Sequence, residues 1–300
     1  MQTLYTLTSL EDGAQGNKEA AARILNDKLA NVLDIFTVSV LYTLRIAKYA
    51  ETDAAHRSSK YLRSMEDMNV NTGIATNGFV LKMLANTSFN EKIKKDKLER
   101  FIDDGWVKNI YQLATKSAEY IHYITADRHT PAEDKEIIQH IWEQHVVGNE
   151  EVLNYFMDEL PGWEDDGALI IMLMQNFFKE SSKINFLNLL SGEKKDYAQE
   201  LLLAVIEKGD HCLTLIEPKL TNWDKDRVAL IDLLLLKMGV CEFLYFPTIP
   251  TKVTINEYID IAKQYSTPQS GQFVNGVLDN ILKDLIKENK IRKQERTNKG

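Results

Sequence analysis

The chain contains 300 residues, of which 44% are hydrophobic and 27% are charged. That composition is typical of globular proteins with a packed core, and it excludes the disordered and fibrous classes. The formal net charge of −8 argues against a protein that coats nucleic acid generally, because such proteins are basic. The length allows one large domain or two small ones.

Helical spacing of apolar residues accounts for most of the chain. Between residues 17 and 49, apolar side chains such as Leu25, Phe36 and Leu44 recur at intervals that place them on one face, which predicts a long helix. The segment 67–78 is polar and rich in Asn and Gly, which predicts a loop. Because alternating strand patterns are almost absent, the predicted fold class is all-α. Further helices are predicted over residues 79–86, 88–103, 107–124, 133–147, 149–160, 166–180, 195–208 and 210–217.

The next predicted helix runs from Arg227 to about Tyr245 and is apolar on nearly every side. A helix of this kind is expected at the centre of a core. Three charged residues interrupt the apolar run, so the segment cannot lie in lipid: Asp232, Lys237 and Glu242. We expect these side chains either to form salt bridges or to meet a partner.

Two prolines end that helix, and two further helices are predicted after them. Thr254 and Glu257 have the spacing of a capping box, in which each side chain bonds the backbone N–H of the other residue. Thr267 followed by Pro268 predicts the start of a last helix that extends to about Lys287.

The last predicted helix contains the pair Asn275-Gly276, which in isolation is a strong hairpin signal. The apolar residues after it, from Val277 to Leu285, keep helical spacing, so the helix is the better interpretation. Glycine inside a helix costs about 1 kcal/mol relative to alanine. The structural explanation is close approach of another helix over Gly276, with Asn275 hydrogen-bonded to a neighbouring carbonyl.

A functional interpretation concerns the start of the same helix. Residues 266–272 combine small side chains, free backbone amides and the positive end of the helix dipole, which suit an anionic ligand such as a phosphodiester. Gln269, Ser270 and Gln272 carry groups that can hydrogen-bond to base edges. Phe273 can stack on a base if its ring is exposed. These four residues are therefore candidate RNA contacts.

The sequence lacks the residue patterns that common catalytic and cofactor sites require. His140 and His145 lie five residues apart, so a helix directs them to different faces, whereas a metal pair on one face needs a spacing of four. Neither Cys212 nor Cys241 is predicted to be a nucleophile, and both are predicted to be buried, reduced thiols. We therefore predict a binding protein rather than an enzyme, with no cofactor and no metal.

The region from Asn222 to Ile281 contains several motifs in register, including KVTINEYIDIAK (Lys252–Lys263) and FVNGVLD (Phe273–Asp279). It resembles the C-terminal half of the NusB family of transcription antitermination factors. The resemblance implies an all-helical fold of two helical subdomains. It also implies binding of the boxA element in nascent ribosomal RNA, together with NusE, which is also a small-subunit ribosomal protein. The implied complex makes RNA polymerase resist termination in ribosomal RNA operons.

The resemblance assigns expected roles to particular residues of this chain. Asp232 stands where the family has an acidic residue near the NusE-binding surface, and we expect it to contact that partner. Asn275 and Glu257 belong to the family motifs, and we expect structural roles for both, as an inter-helix hydrogen bond and a cap. The RNA-proximal candidates lie at the start of the last core helix: Gln269, Ser270, Gln272 and Phe273.

Two features depart from the family pattern. Family members usually open with an arginine-rich segment before a Gln-x-Leu-Tyr helix, whereas Met1–Tyr5 reads MQTLY without those arginines. We expect that the chain starts late, at an internal methionine, rather than that the RNA contact was lost. The family core needs about half of this length, so inserted helices are expected within residues 20–165. The predicted divisions are a truncated first helix plus inserted helices (1–165), a NusB-like core (166–290) and a disordered basic tail (291–300).

Other functions stay open at the level of sequence. A helical protein-interaction scaffold with weak or lost RNA binding would use the inserted helices as its interface. NusB-like domains also occur fused to ribosomal RNA methyltransferases, but the chain ends at Gly300, before the glycine-rich cofactor fold that such an enzyme needs. No signal peptide pattern opens the chain, so a cytoplasmic location is predicted. Homodimerisation is a further open possibility.

Overall fold

A computed structural model describes residues 1–9, 18–181, 184–220 and 228–293 of the chain. Within these ranges the secondary structure is helical and contains no strand, which confirms the predicted all-α class. The α-helices are α1 (Gln2–Ser9), α2 (Lys18–Ser58), α3 (Met65–Met68), α4 (Gly78–Leu84), α5 (Thr87–Lys95), α6 (Asp104–Ala114), α7 (Ala118–Thr125), α8 (Pro131–His140), α9 (Glu150–Glu159), α10 (Trp163–Glu180), α11 (Gly192–Ile216), α12 (Leu230–Tyr245), α13 (Thr251–Tyr265) and α14 (Ser270–Lys287). Shorter elements are 3-10 helices at Gly73–Thr76, Leu98–Phe101 and Glu217–Lys219, and a π-helix at Ile141–Val147.

The chain forms two compact units. The first unit combines Met1–Lys28 with Leu190–Gly300, and the second is Leu29–Leu189. The predicted division after residue 165 differs from this arrangement, since the contacts divide the chain after Lys28 and after Leu189. The boundary between a NusB-like core and inserted helices therefore stays a prediction.

In the first unit, α12 lies among α11, α13 and α14. Its buried residues occur on all sides, which confirms the predicted central position. Gly239 makes this packing possible, because a Cβ there would lie 2.9 Å from Leu278 and 3.4 Å from Tyr258. The helix begins at Leu230, and Arg227, its predicted first residue, lies outside the described residues.

In the second unit, the core is built around the apolar face of α2. This helix confirms the predicted long helix and extends beyond its predicted end, to Ser58. Aromatic rings from distant parts of the unit meet there. Phe36 packs against both Phe177 and Phe186, and the ring centroids are 6.0 Å apart in each pair. By length and composition alone α2 could also cross a membrane, but 61% of its most apolar window is buried inside the protein, as in a core helix.

Two predicted helix boundaries were wrong. Residues 195–217 were predicted as two helices, whereas α11 is a single helix in which Gly209 is buried. Its packing against α12 offsets the cost of an internal glycine. The predicted loop at 67–78 contains the end of α3 and a 3-10 turn at Gly73–Thr76.

The predicted capping box at the start of α13 is also wrong. The helix begins at Thr251, because Pro250 at the N-cap has its φ fixed at −61° and starts the helix directly. Thr254 is therefore inside the helix, where it is buried and its hydroxyl lies 3.4 Å from the Pro250 carbonyl. Within the described residues no side chain caps the start of α13, so the role expected for Glu257 as a cap is not present.

Candidate functional site

The candidate site is the turn that leads from α13 into α14. The Ser270 amide donates to the Thr267 carbonyl at 3.0 Å, and the Gln272 and Phe273 amides donate to the Gln269 carbonyl at 3.1 Å each. Free backbone amides that could bind an anion were expected here. That expectation is wrong for these three donors, because the turn continues into the helix with bonds of its own. These three amides are therefore not available to a ligand.

Ser270 joins this turn to the first turn of α12. Its hydroxyl donates to Oδ2 of Asp232 at 2.7 Å, and both side chains are buried. The same hydroxyl oxygen accepts from the Thr267 amide at 3.2 Å. The residue predicted to contact a protein partner and one predicted to contact RNA are thus bonded to each other.

The second carboxylate oxygen of Asp232 has no such donor. Oδ1 is buried and lacks a hydrogen-bond partner within the part of the chain that the structure describes. A buried acceptor without a donor lowers the stability of the folded state by about 1–3 kcal/mol. Oδ1 is therefore an acceptor that could still take a hydrogen bond, and it lies beneath the start of α14.

The four RNA candidates divide into two pairs. Gln269 and Gln272 lie three positions apart and are both exposed, and Gln269 makes no capping bond with its side chain. Ser270 and Phe273 point inward and are 2% and 6% exposed. Base stacking on Phe273 was expected only if the ring was exposed, and the structure instead places it in the core. Direct contact with a ligand is available to the glutamines.

Asn275 and Gly276 lie inside α14, which confirms the helix over the hairpin. Both residues are exposed, and a Cβ on Gly276 would meet nothing within 4 Å. The expected approach of another helix of this chain is therefore wrong. Among the described residues Asn275 makes no side-chain hydrogen bond, so its expected inter-helix bond is also wrong, whereas Asn280 donates to the Gly276 carbonyl at 2.9 Å. The two residues form an open strip on the surface of α14.

Glu242, on α12, belongs to a polar network that the sequence analysis did not predict. Its buried carboxylate accepts from the hydroxyl of Tyr197, and the Tyr258 hydroxyl lies 3.4 Å away. In the described part of the chain, tyrosines rather than a basic side chain hold this carboxylate. Burial, followed by the hydrogen bond to Glu242, raises the pKa of Tyr197, so its hydroxyl stays protonated and donates. The network ties α11 and α13 to α12.

Lys293 closes the other end of α12. Its ammonium donates to the carbonyls of Glu242 and Phe246 at 2.8 Å each, where the helix presents its unsatisfied carbonyls and negative dipole end. Burial lowers the pKa of Lys293. This residue was predicted to lie in a disordered tail, but it contacts the core, and residues 294–300 lie outside the described residues.

The second unit has its own surface features. A groove of about 670 Å³ opens between apolar side chains that include Met65, Tyr111 and Ile121. Near it in sequence, Tyr61 is 100% exposed and Leu62 is 85% exposed, which is unusual for adjacent large apolar residues. Among the described residues no group of three or more His, Cys, Asp or Glu side chains is arranged to hold a metal ion.

Comparison with known proteins concerns mainly the first unit. The family model described as the NusB family matches residues 167–283. A protein of Salinibacter ruber is 42% identical over 102 residues, which are 34% of this chain and 64% of that protein. A protein of Listeria monocytogenes is 42% identical over 94 residues, covering 31% of this chain and 73% of that protein. A protein of Desulfatibacillum aliphaticivorans is 44% identical over 103 residues, covering 33% and 72%.

All three relatives carry the name transcription antitermination protein NusB. The part of the chain that matches spans somewhat less than two thirds of the length of the first of these proteins and almost three quarters of the length of the other two. No solved structure matches the chain. The matched region contains α12, α13 and most of α14, and so contains the whole candidate site.

Proposed function

Because this chain belongs to the NusB family, we propose that it is a transcription antitermination factor that binds boxA-type RNA of ribosomal RNA operons together with NusE. The proposal makes it a cytoplasmic, non-enzymatic component of an RNA polymerase complex. The observation that carries it is the match of residues 167–283 to the family, supported by relatives named as antitermination proteins.

In this proposal the exposed glutamines at the start of α14 contact RNA. Gln269 and Gln272 carry both donors and acceptors, which suit the edges of unpaired bases. Their positions are fixed from below, since Ser270 is bonded to Asp232 and Phe273 is packed in the core. Sequence-specific RNA binding needs such fixed side chains, because the phosphate backbone carries no sequence information.

The proposed contact with NusE uses Asp232. Its Oδ1 is buried and has no hydrogen-bond donor among the described residues, and a donor from the partner would satisfy it once the residues that cover it move aside. Since Asp232 also holds Ser270, a donor that binds there would act on the RNA-contacting turn as well. The proposal therefore couples partner binding to RNA binding through one carboxylate.

The test is a titration of fluorescently labelled boxA-type RNA with the full chain, with and without NusE, at increasing salt. We expect binding that is tighter for boxA than for a scrambled sequence of the same composition. The affinity should fall linearly on a plot of log K against log salt, as phosphate contacts release counterions. Equal affinity for boxA and scrambled RNA in the presence of NusE would contradict the proposal.

A second candidate function is a protein-interaction scaffold with weak or lost RNA binding. The second unit lies mostly outside the family match, and it exposes Tyr61, Leu62, Met65 and Met68 within one short stretch. Exposed apolar clusters of this kind mark protein contact sites. The same titration distinguishes the candidates, because a scaffold without RNA affinity gives no binding at low salt.

A further inference from the structure

The two cysteines of the chain lie side by side in the first unit. Cys212 on α11 and Cys241 on α12 are 29 residues apart in sequence, and their Sγ atoms are 3.2 Å apart. Both residues are fully buried and neither is in a disulfide. The proposed RNA and NusE contacts use neither thiol.

We propose that Cys212 and Cys241 are a reversible redox pair that forms an intramolecular disulfide when the protein meets a peroxide. A disulfide bond is about 2.05 Å long, so the two sulfurs need to approach by only about 1 Å. The pairing joins two neighbouring helices that already pack along their length, which avoids rearrangement of the fold.

Cys212 is the thiol that reacts first. The Cys241 thiol beside it lowers the pKa of Cys212, and the positive charge of Lys237 lowers it further, against the effect of burial. Hydrogen bonding to Cys212 and burial raise the pKa of Cys241, which stays protonated. Cys212 is thus the thiol that attacks peroxide, and Cys241 can resolve the product because its sulfur lies only 3.2 Å away.

The reaction balances with peroxide as the oxidant. The Cys212 thiolate attacks one oxygen of hydrogen peroxide, the O–O bond breaks, and the products are a sulfenic acid and hydroxide. The Cys241 sulfur then attacks the Cys212 sulfur, the S–O bond breaks, and the disulfide forms as hydroxide leaves and takes the thiol proton as water. Two electrons pass from the sulfurs to the peroxide, and a dithiol reductant reverses the change.

A small cavity lies about one helical turn from the pair, and neither cysteine is among its lining residues. It has a volume of about 130 Å³ and is lined by Gly209 of α11 and Lys237 of α12, among others. These residues lie three and four positions before Cys212 and Cys241, which is one helical turn away on each helix.

The test treats the reduced full chain with excess hydrogen peroxide, then unfolds it and labels free thiols with a maleimide. We expect the intact mass to fall by two hydrogens, no thiol to be labelled, and both labels to return after dithiothreitol. The melting temperature of the oxidised chain should rise by roughly 5 °C, because the bond closes a loop in the unfolded chain. The reduced chain incubated without peroxide is the matched control.

Single variants separate this pair from general oxidation. Cys241→Ala removes the resolving thiol, so peroxide should leave a sulfenic acid on Cys212 that dimedone traps, with no intramolecular bond. Cys212→Ala should leave Cys241 as an unreacted thiol. Persistence of two labelled thiols in the treated wild-type chain, or stepwise gain of oxygen on either sulfur without a disulfide, would overturn the proposal.

Discussion

Ser270 and Asp232, 38 residues apart in sequence, are joined by a hydrogen bond of 2.7 Å that links the start of α14 to the first turn of α12. The bond is buried, so water cannot replace either partner. It connects a residue predicted to contact RNA with one predicted to contact the protein partner, and Gln269 and Gln272 lie exposed on the same turn. Any change that breaks this bond should affect both stability and binding.

Replacing Ser270 by alanine should destabilise the chain by about 1–3 kcal/mol, because Asp232 loses its donor while its carboxylate stays buried. Urea unfolding followed by circular dichroism measures the change. Ser191→Ala is the matched control, since that exposed serine makes no capping bond, and it should change stability by less than about 0.5 kcal/mol. A double-mutant cycle with Asp232→Ala should give a coupling of at least about 0.5 kcal/mol, and additive effects would contradict the assigned bond.

Replacing Gly276 by alanine should stabilise the free protein by about 0.5–1 kcal/mol. Alanine is the better helix former, and the added Cβ meets nothing within 4 Å. The same change at Gly239 should destabilise it, since a Cβ there would lie 2.9 Å from Leu278. In thermal unfolding, the melting temperature should rise for Gly276→Ala and fall for Gly239→Ala relative to the wild type. A destabilised Gly276→Ala variant would show that the open strip on α14 is not open in solution.

Replacing Gln269 and Gln272 together by alanine should weaken binding of boxA-type RNA by about 1 kcal/mol or more, roughly fivefold, through the loss of base contacts. Stability should not change, because both side chains are exposed. The slope of log K against log salt should also stay constant, since neither residue carries charge. Gln264→Ala, an exposed glutamine on α13, is the control and should bind RNA as the wild type does. An unchanged affinity for RNA in the double variant would show that these two glutamines do not contact the RNA.

Stability should fall as the pH drops through the range below about 6.5, and His145 should contribute to that loss. Burial lowers the pKa of His145, and His140 lowers it further, while Glu119 acts in the opposite direction. The unfolded chain therefore binds a proton at a higher pH than the folded chain does, and acid favours unfolding. The two histidine rings lie 5.5 Å apart, so the prediction that they point to different faces was wrong, because the backbone hydrogen bonds of the π-helix at Ile141–Val147 span five residues.

Urea unfolding at about pH 7.5 and about pH 5.5 tests this origin of the loss. His145→Gln should lose less stability between the two conditions than the wild type. His56→Gln should behave as the wild type, because His56 is exposed. An equal loss in the His145 variant would assign the acid sensitivity to other groups.

Local pattern predicted much of this fold and less of the site. The spacing of apolar residues predicted the helix α2 and the central position of α12, since both features depend on side chains a few positions apart in sequence. The preference for a helix at Asn275-Gly276 had the same basis. The bond between Ser270 and Asp232 and the network of Glu242 with Tyr197 join residues 38 and 45 positions apart, which no local pattern specifies.

The errors had a common physical source in tertiary contacts. Gly276 was expected beneath another helix, yet the close glycine contact of the core occurs at Gly239. Phe273 was offered as a stacking platform because a sequence does not show which side of a helix is covered. The capping box at Thr254 failed because the N-cap of α13 is Pro250, four residues earlier.

The most direct test of the account is single-round transcription through a terminator by RNA polymerase with its elongation factors and NusE. Templates with boxA and with a scrambled boxA are compared, with and without the full chain. We predict that the chain increases read-through on the boxA template alone, and that the double variant of Gln269 and Gln272 loses much of that increase. Equal read-through with and without the chain on the boxA template would contradict the assignment as an antitermination factor.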